Sequence, residues 1–256
     1  MTEKRKQELK NKWLEEENIA HIKGWDFSHI NNRYEEENKL PWNYESIIKK
    51  YLHNDMKLLD YDTGGGEFLL SLNHPYDNTY ATEGFKPNVK YCESIFNPLG
   101  IHFKECSDCN NIPFDNDFFD IIINRHGDFS PKEMYRLLKK DGLFITQQVG
   151  ENNDRDLVEF VLPEVEKPFP GLNLENQKKL FIKAGFEVIE AGEYYGPIKF
   201  YDVGAFVWFA RIIEWEFPGF TVNKCFNKLL ELQKQIDEKG YIEGTIHRYM
   251  LVLKKG

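Results

Sequence analysis

Residues 58–67 read LLDYDTGGGE, and an apolar segment, residues 68–72, follows them. A short apolar run, then acidic residues, then three glycines is typical of a buried parallel strand that turns into a helix. Glycine lacks a Cβ, so it permits a positive φ and lets backbone N–H groups approach a ligand closely. Because ligands of open α/β sheets bind beyond the carboxyl ends of the strands, the stretch predicts a nucleotide-like ligand at this turn.

Two common nucleotide-binding motifs do not fit the glycine turn. The NAD fingerprint G-x-G-x-x-G needs a third glycine, but three residues after Gly66 the chain has Leu69. The phosphate-binding motif G-x-x-x-x-G-K-[ST] is also absent. An acid at the strand end suits an ammonium group or hydroxyls better than a pyrophosphate. A glycine-rich connector that binds nothing is the alternative.

A second acidic strand end follows the glycine turn. Residues 78–83 read NTYATE, which predicts a strand that ends at Glu83. This acid lies at the offset expected of a ribose-binding carboxylate, about 20 residues after the turn. A carboxylate can accept hydrogen bonds from both ribose hydroxyls. The alternative is that Glu83 caps a helix that opens near Pro87.

The next segments continue the alternation of strands and helices. The run Ile121 to Ile123 predicts a strand that is buried on both faces. Ser130 and Pro131 predict the start of a helix, which ends at residues 141–142, Asp-Gly. Residues 143–149 then predict another strand.

These segments, in this order, resemble the class I S-adenosylmethionine-dependent methyltransferases, which have a Rossmann-like fold. The resemblance is strong over residues 56–149 and loose over the C-terminal strands. It implies an α/β fold with a doubly wound, mostly parallel seven-stranded sheet whose last strand is antiparallel. The segments that carry it are residues 59–66 as the glycine-rich motif, 83 as the second acid, 108–114 as the adenine loop, 118–126 as the fourth strand and 133–144 before the fifth.

The resemblance also implies a domain organisation. Residues 1–52 are predicted to form an N-terminal helical cover over the cofactor. Residues 53–256 are predicted to form the Rossmann-like methyltransferase domain, with a helical insertion at about 202–240 between the last two strands.

The implied cofactor is S-adenosylmethionine, and five positions would hold its methionine side. Asp60 and Asp62 would meet the ammonium group directly or through water. Gly64 and Gly66 would line the methionine and ribose. Asn124, at the end of the fourth strand, would face the methionine and the transferred methyl group, which makes it a candidate catalytic residue.

Five further positions would hold the adenosine side of the cofactor. Glu83 would accept from the ribose hydroxyls, with Gly84 and Phe85 close to the adenine. Asp108 would accept from the adenine amino group, and the backbone N–H of Cys109 would meet a ring nitrogen.

One position departs from the family pattern. The glycine-rich motif usually has a glycine where this chain has Asp62. A side chain there either crowds the cofactor or accepts an additional hydrogen bond from its ammonium group. This departure motivates the alternative of a non-catalytic cofactor-binding or interaction module.

Methyl transfer mainly requires that the acceptor be aligned with the methyl group. A base is needed only if the acceptor carries a proton, and His126 is the candidate base. Trp25 and Trp42 are candidates for the substrate side of the cover, and core packing is their alternative role. Arg125 and Arg248 would hold an acidic substrate through bidentate contacts, or else form structural ion pairs.

Composition favours a cytoplasmic enzyme that acts on small molecules. The chain has 256 residues, a formal net charge of -9 and a sequence pI near 5.4, so nucleic acid is an unfavoured partner. No apolar run approaches the roughly 20 residues of a membrane span, and the charged N-terminus does not resemble a signal peptide. The chain has four cysteines, which we expect to be reduced thiols in a cytoplasmic protein. The pair Cys106 and Cys109 lacks the further ligands of a zinc site, so no metal is expected.

The sequence therefore predicts S-adenosylmethionine-dependent methyl transfer to a small or medium-sized molecule. Oxygen, nitrogen, carbon and sulfur acceptors all stay open, as does the oligomeric state. An RNA or tRNA methyltransferase and the non-catalytic module are the alternatives.

Overall fold

The computed structural model describes residues 1–21, 26–36 and 39–256. The chain forms two compact units, and each is built from three segments of sequence. Unit 1 comprises Met1–Lys39, Glu151–Pro170 and Tyr194–His247. Unit 2 comprises Leu40–Gly150, Gly171–Glu193 and Arg248–Gly256. The domain boundary at residue 52 and the covering role of the preceding residues stay predictions.

One sheet contains the eight strands found in the described residues, in the order β1-β7-β8-β6-β5-β2-β3-β4. The strands β4, β3, β2, β5 and β6 pair in parallel, whereas β8 runs antiparallel to β6. Their bounds are β1 Tyr34–Glu36, β2 Leu58–Asp60, β3 Thr79–Glu83, β4 His102–Glu105, β5 Phe119–Arg125, β6 Leu138–Val149, β7 Phe186–Phe200 and β8 Ile242–Lys255.

The predicted fold class is confirmed, with one correction to the strand count. The sheet is mostly parallel and its last strand is antiparallel, but it has eight strands rather than seven. The additional strand is β1, which pairs antiparallel with β7 through Tyr34 and Phe200. Three residues are too few to show the alternation of apolar and polar side chains that predicts a strand.

Unit 2 has an apolar core on each face of its part of the sheet. Ile121 and Ile123 belong to one buried cluster and Ile122 to another, as expected of a parallel strand with both faces covered. The helices of this unit are α2 Tyr44–Tyr51, α3 Glu67–Ser71, α4 Lys86–Phe96, α5 Pro131–Leu137 and α7 Leu174–Lys183, with 3-10 turns at Tyr76–Asn78 and Asn97–Leu99.

Unit 1 is largely helical and has its own core. Asp202 caps the helix that begins at Val203, because its carboxylate accepts from the Ala205 backbone N–H at 2.9 Å. Arg33 holds the same carboxylate through two hydrogen bonds of 2.7 and 2.8 Å. Its helices are α1 Glu3–Ile19, α6 Arg155–Val161, α8 Val203–Ile212 and α9 Val222–Lys239, with a 3-10 turn at Ser28–Ile30.

Helix α8 is apolar except for Arg211, and its other nine residues are buried. A helix of this kind belongs either in a protein core or in a membrane. Across the described residues, no helix reaches the length and apolarity that a membrane crossing requires. The burial of α8 is therefore explained by the core of unit 1, where Phe206 and Trp208 lie.

Candidate functional site

Asp60 ends β2 with a carboxyl group that is almost fully buried. Only 5% of the residue is exposed, and the Thr63 hydroxyl donates to Oδ2 at 2.6 Å. Burial raises the pKa of Asp60 to about 7, although the Thr63 hydrogen bond and the nearby Arg125 act in the opposite direction. Desolvation disfavours the charged form, so a cationic ligand would meet an acid that gains from being paired.

The glycine turn that follows has one open side and one packed side. Gly64 and Gly66 have φ values of +64° and +80°, which favour glycine. A Cβ on Gly66 would lie 2.3 Å from Cζ of Phe96, so this glycine is required for packing. A Cβ on Gly64 would meet nothing within 4 Å. The turn therefore leaves room for a ligand at Gly64.

Asp62 occupies part of the space between the ends of β2 and β3. Its backbone is left-handed, with φ +60°, and its Oδ2 lies 2.4 Å from where a Cβ on Gly127 would be. Its carboxyl group is also within hydrogen-bonding reach of Glu83. The pKa of Asp62 is raised to about 6, mainly because the carboxyl group is buried. The charge of Glu83, a hydrogen bond with Glu83 and the charge of Asp128 raise it further. The carboxyl groups of Asp62 and Glu83 thus lie close together where the sequence predicts ribose and methionine.

Glu83 is anchored at the end of β3. It is 2% exposed, and its Oε1 accepts from the backbone N–H groups of Gly84 and Phe85, both at 2.8 Å. A Cβ on Gly84 would lie 2.7 Å from the carbonyl oxygen of Cys106, so glycine permits this close approach. Phe85 is 63% exposed. The structure therefore gathers Glu83, Gly84 and Phe85, while their contacts with a cofactor stay predictions.

The predicted adenine loop turns at Asp108 and Cys109. Asp108 Oδ1 accepts from the Asn110 backbone N–H at 2.9 Å, which closes a local turn. Cys109 Sγ lies 3.5 Å from Oδ2 of Asp128. Burial of the thiol, followed by the negative charge of Asp128, raises the pKa of Cys109 to about 11. Cys109 is therefore a neutral thiol at neutral pH. Within the described ranges, no three His, Cys, Asp or Glu side chains are grouped to hold a metal ion.

Two residues of α5 hold this loop, a role that their sequence positions do not reveal. Glu133 Oε1 accepts from the Ile112 backbone N–H at 2.8 Å. Arg136 donates to the carbonyl oxygens of Ile112 and Phe114, at 2.9 and 2.8 Å, and to Glu133 itself. An acid three residues before an arginine is a detectable helix pair, but its reach to a distant loop is not.

Asn124 joins the carboxyl ends of three strands. It is fully buried, its Nδ2 donates to the Tyr61 carbonyl at 2.9 Å, and its Oδ1 accepts from Gln148 Nε2 at 2.6 Å. The Tyr44 hydroxyl lies 3.0 Å from the Asn124 carbonyl oxygen. These contacts define a structural role for Asn124, and its contact with the methyl group stays a prediction. Gln148 was not identified from the sequence.

His126 directly follows β5 in a left-handed conformation, with φ +66°. The residue is exposed to solvent. Desolvation by the surrounding protein is the main cause of a lowered pKa of the imidazole, and the positive charges of Arg248 and Arg125 lower it further. The ring is therefore neutral at pH 7 and has a lone pair for a proton, as a general base requires.

Trp42 lies at the end of β6. Its Nε1 donates to Gln147 Oε1 at 2.8 Å, and a Cβ on Gly192 would lie 2.9 Å from its ring. It lines an open groove of about 510 Å³ that is bordered by residues of α2, β7 and Met250. Trp25, the other aromatic candidate, lies outside the described residues.

Comparisons with known proteins support the fold. No sequence-family profile and no curated protein sequence matches this chain. A solved protein from Bacillus halodurans, provisionally named a methyltransferase, is 14% identical, with 83% of this chain and 98% of that chain covered and a TM-score of 0.57. The YcgJ protein from Bacillus subtilis is 20% identical, with 82% and 96% covered and a TM-score of 0.55.

A third solved protein, from Galdieria sulphuraria, is provisionally named a sarcosine dimethylglycine methyltransferase. It is 17% identical, with 83% of each chain covered and a TM-score of 0.51. At these identities the similarity shows the fold. The chain therefore has the fold of the class I S-adenosylmethionine-dependent methyltransferases.

Proposed function

We propose that this protein transfers a methyl group from S-adenosylmethionine to a small or medium-sized molecule. The observation that carries the proposal is the pairing of a buried acid, Asp60, with an open glycine turn at Gly64. A nearly dry carboxyl group beside open space suits a ligand that brings its own positive charge. Solved proteins of this fold that are named methyltransferases support the same reading.

The chain's residues would hold the cofactor at four points. Asp60 would take the methionine ammonium, Gly64 would lie along the chain of the ligand, and Glu83 would accept from the ribose hydroxyls. Asp108 and Cys109 would receive the adenine in a loop that α5 holds in place. Asp62 is the feature that opposes binding, because its carboxyl group lies against Glu83.

When bound, S-adenosylmethionine supplies an activated methyl group on a sulfonium sulfur. The protein's contribution is then mainly alignment, which can supply several kcal/mol, up to ~7–11 in the best cases. Asn124 fixes the strand ends around the site through its amide. His126 would accept a proton from an acceptor that carries one, since its lowered pKa keeps it neutral.

Calorimetry with S-adenosylmethionine and S-adenosylhomocysteine tests the proposal. Wild-type protein is expected to bind both, and Asp60→Asn to weaken both. Glu187→Gln is the matched control, since Glu187 is an exposed acid of the same unit. Absence of binding at millimolar ligand would reject the enzyme.

A non-catalytic module is the second candidate, and the contact between Asp62 and Glu83 favours it. In that case Asp62 acts as a permanent occupant of the ribose position. Binding by Asp62→Gly together with no binding by wild type would support this candidate. Equal binding by both proteins would exclude it.

A further inference from the structure

Two arginines lie on one face of the sheet at the predicted acceptor end. Arg125 is paired in register with Gln147, and the neighbouring strand places Arg248 opposite Val149. Gln147 and Val149 are two residues apart on β6, so their side chains point to the same face. Arg125 and Arg248 therefore lie on that face, one register step apart.

Core packing identifies the face independently. On each of the three strands, the residue two positions from Arg125, Gln147 or Arg248 lies in the core. These residues belong to a single buried cluster and are Ile123, Ile145 and Met250. Trp42 and Phe68 pack against that cluster as well. The two guanidinium groups thus lie at the end of an apolar wall, where a substrate would be partly shielded from water.

The immediate surroundings of Arg125 leave its N–H groups available. Its Cζ lies 4.8 Å from the centre of the Phe68 ring, and stacking of this kind supports the flat face of the group. Among the residues that the structure describes, its guanidinium has no hydrogen-bond acceptor and no ion pair. The N–H edge can therefore bind a planar oxyanion with two parallel bonds.

The charges of both arginines act at the same place. Arg248 and Arg125 each contribute to the lowered pKa of His126, so both positive charges act at the end of β5. The whole chain has a formal net charge of -9, so two neighbouring cations here are not part of a generally basic surface. A local positive site in an acidic protein favours a small anionic partner.

We propose that the methyl acceptor carries an oxyanion, a carboxylate or phosphate, and that Arg125 and Arg248 bind it beside His126. The proposal deepens and rests on the proposed function, because it assigns the substrate class of the same site. Bound in this way, the acceptor atom lies close to the strand ends and within reach of a neutral imidazole. Arg125 and Arg248 are thereby specificity-determining residues.

Nuclear magnetic resonance of the His126 imidazole tests the subsite without the cofactor. Malonate and inorganic phosphate are titrated separately, with chloride at equal ionic strength as the control, and His126→Gln assigns the signal. Saturable movement of the signal is expected, together with a rise in the pKa of His126, because a bound anion offsets the two cations. A response to malonate alone would identify the oxyanion of the acceptor as a carboxylate, and a response to phosphate alone would identify it as a phosphate. The absence of any response to either anion overturns the proposal.

Variants link that response to the arginines. Arg125→Gln and Arg248→Gln are each expected to weaken anion binding by about tenfold or more, since charge-assisted hydrogen bonds are lost. Arg5→Gln, which changes an exposed arginine of unit 1, is the control and is expected to leave binding unchanged. Unchanged titrations in both subsite variants would overturn the proposal.

Calorimetry separates this subsite from the cofactor site. If Arg125 binds the acceptor, Arg125→Gln keeps the affinity for S-adenosylmethionine; a tenfold loss would instead assign it to the methionine carboxylate and overturn the proposal. A panel of small acids and their matched amides then tests turnover, and methylation of amides as efficient as that of acids would also overturn it. Wild type that binds malonate but not S-adenosylmethionine would reject methyl transfer, and with it the acceptor assignment.

Discussion

At the scale of single residues, Asp60 links the candidate site to stability. Its pKa of about 7 lies above the unfolded value of about 3.9, so the folded protein binds the extra proton between these values. This group therefore makes the protein less stable as pH rises from about 4 to about 7. Asp60→Asn removes the cost and keeps an acceptor for the Thr63 hydroxyl.

We predict that Asp60→Asn is more stable than wild type at pH 8, by at most about 4 kcal/mol, and nearly equal to it at pH 4. Urea unfolding at the two pH values measures the difference. Asp77→Asn is the control, because Asp77 is an exposed acid of the same unit. A variant less stable than wild type at pH 8 would contradict the prediction.

Glu83 combines a structural contact with a predicted ligand contact, and two substitutions separate them. Glu83→Gln keeps an oxygen for the Gly84 and Phe85 N–H groups, whereas Glu83→Ala leaves both donors without it. We expect Glu83→Gln to weaken S-adenosylmethionine binding by ~1.5–3 kcal/mol with little loss of stability. Glu83→Ala should lose the binding and also ~1–3 kcal/mol of stability. Calorimetry and urea unfolding measure the two effects, and unchanged affinity in Glu83→Gln would remove Glu83 from the site.

Asp62 is the residue whose protonation should control access to Glu83. Below its pKa of about 6, the protonated Asp62 can donate a hydrogen bond to Glu83. Above that pKa, the Asp62 carboxylate and the Glu83 carboxylate repel each other. We predict that Asp62→Gly binds S-adenosylmethionine about tenfold more tightly than wild type at pH 5, with a smaller gain at pH 7.5. Asp62→Asn donates at every pH and should bind weakly at both values. Calorimetry at the two pH values decides, and equal affinities throughout would show that Asp62 does not obstruct the site.

At the scale of elements, β8 and α2 each contain a buried tyrosine, and the two hydroxyl groups differ in whether they have a hydrogen-bond partner. The Tyr249 hydroxyl of β8 is buried without a hydrogen-bond partner in the described chain. The Tyr44 hydroxyl of α2 lies 3.0 Å from the Asn124 carbonyl and 3.1 Å from the Ile145 carbonyl. We predict that Tyr249→Phe is neutral or up to about 1 kcal/mol more stable, while Tyr44→Phe loses about 1 kcal/mol.

Urea unfolding of the two variants measures this contrast, since both remove one hydroxyl from a buried ring. A loss of more than about 1 kcal/mol in Tyr249→Phe would reveal an ordered water at that hydroxyl. Equal losses in both variants would contradict the assignment of partners.

The elements also show what sequence alone can predict. The strand at Ile121 to Ile123 and the turn at Gly64 and Gly66 were predictable, because continuous apolar runs and glycines act through local backbone physics. Strand β7 extends over residues Phe186–Phe200, but only its first part, residues 186–191, has a sequence pattern that predicts a strand. The missing part contains two glycines and a proline, which argue against a strand until a neighbouring strand pairs with it.

Contacts across long sequence distances explain what the prediction of the site lacked. Asp202 was recognisable as a helix cap, but its partner Arg33 lies 169 residues earlier in the chain. Gln148 and Glu133 likewise lie in segments that were predicted as a strand and a helix, although the helix ends at Leu137 rather than at residues 141–142, and β6 begins at Leu138. Their role is to hold Asn124 and the adenine loop, and this depends on folding rather than on spacing. The sequence therefore predicts a class of ligand, but it does not predict the long-range contacts that support the candidate site.

At the scale of the whole molecule, the described candidate residues are all contained in unit 2. Its three segments hold the acids of β2 and β3, the adenine loop, the end of β5 and the first residue of its final segment, Arg248. The candidate site is thus assembled from parts of the chain that are more than 180 residues apart, from Asp60 to Arg248. A cytoplasmic location and a small-molecule partner stay predictions.

Net charge supplies the test between a small acceptor and RNA. A protein that binds tRNA must neutralise several phosphates, and its affinity falls steeply with salt. This chain has 33 basic against 42 acidic residues, so we predict no specific tRNA binding at about 150 mM salt, while malonate or phosphate still binds at the Arg125 and Arg248 subsite.

Fluorescence anisotropy with labelled tRNA measures this across a salt series, and the double variant Arg125→Gln with Arg248→Gln is the control. Weak binding at low salt that persists in the double variant is the non-specific electrostatic term. Submicromolar binding at about 150 mM salt that disappears in the double variant would contradict the prediction and make RNA the acceptor, because non-specific contacts reach only about 10⁻⁴–10⁻⁶ M at that salt. The same two arginines therefore decide between the candidate acceptors, since only a small oxyanion can use them without the wider basic surface that an RNA backbone requires.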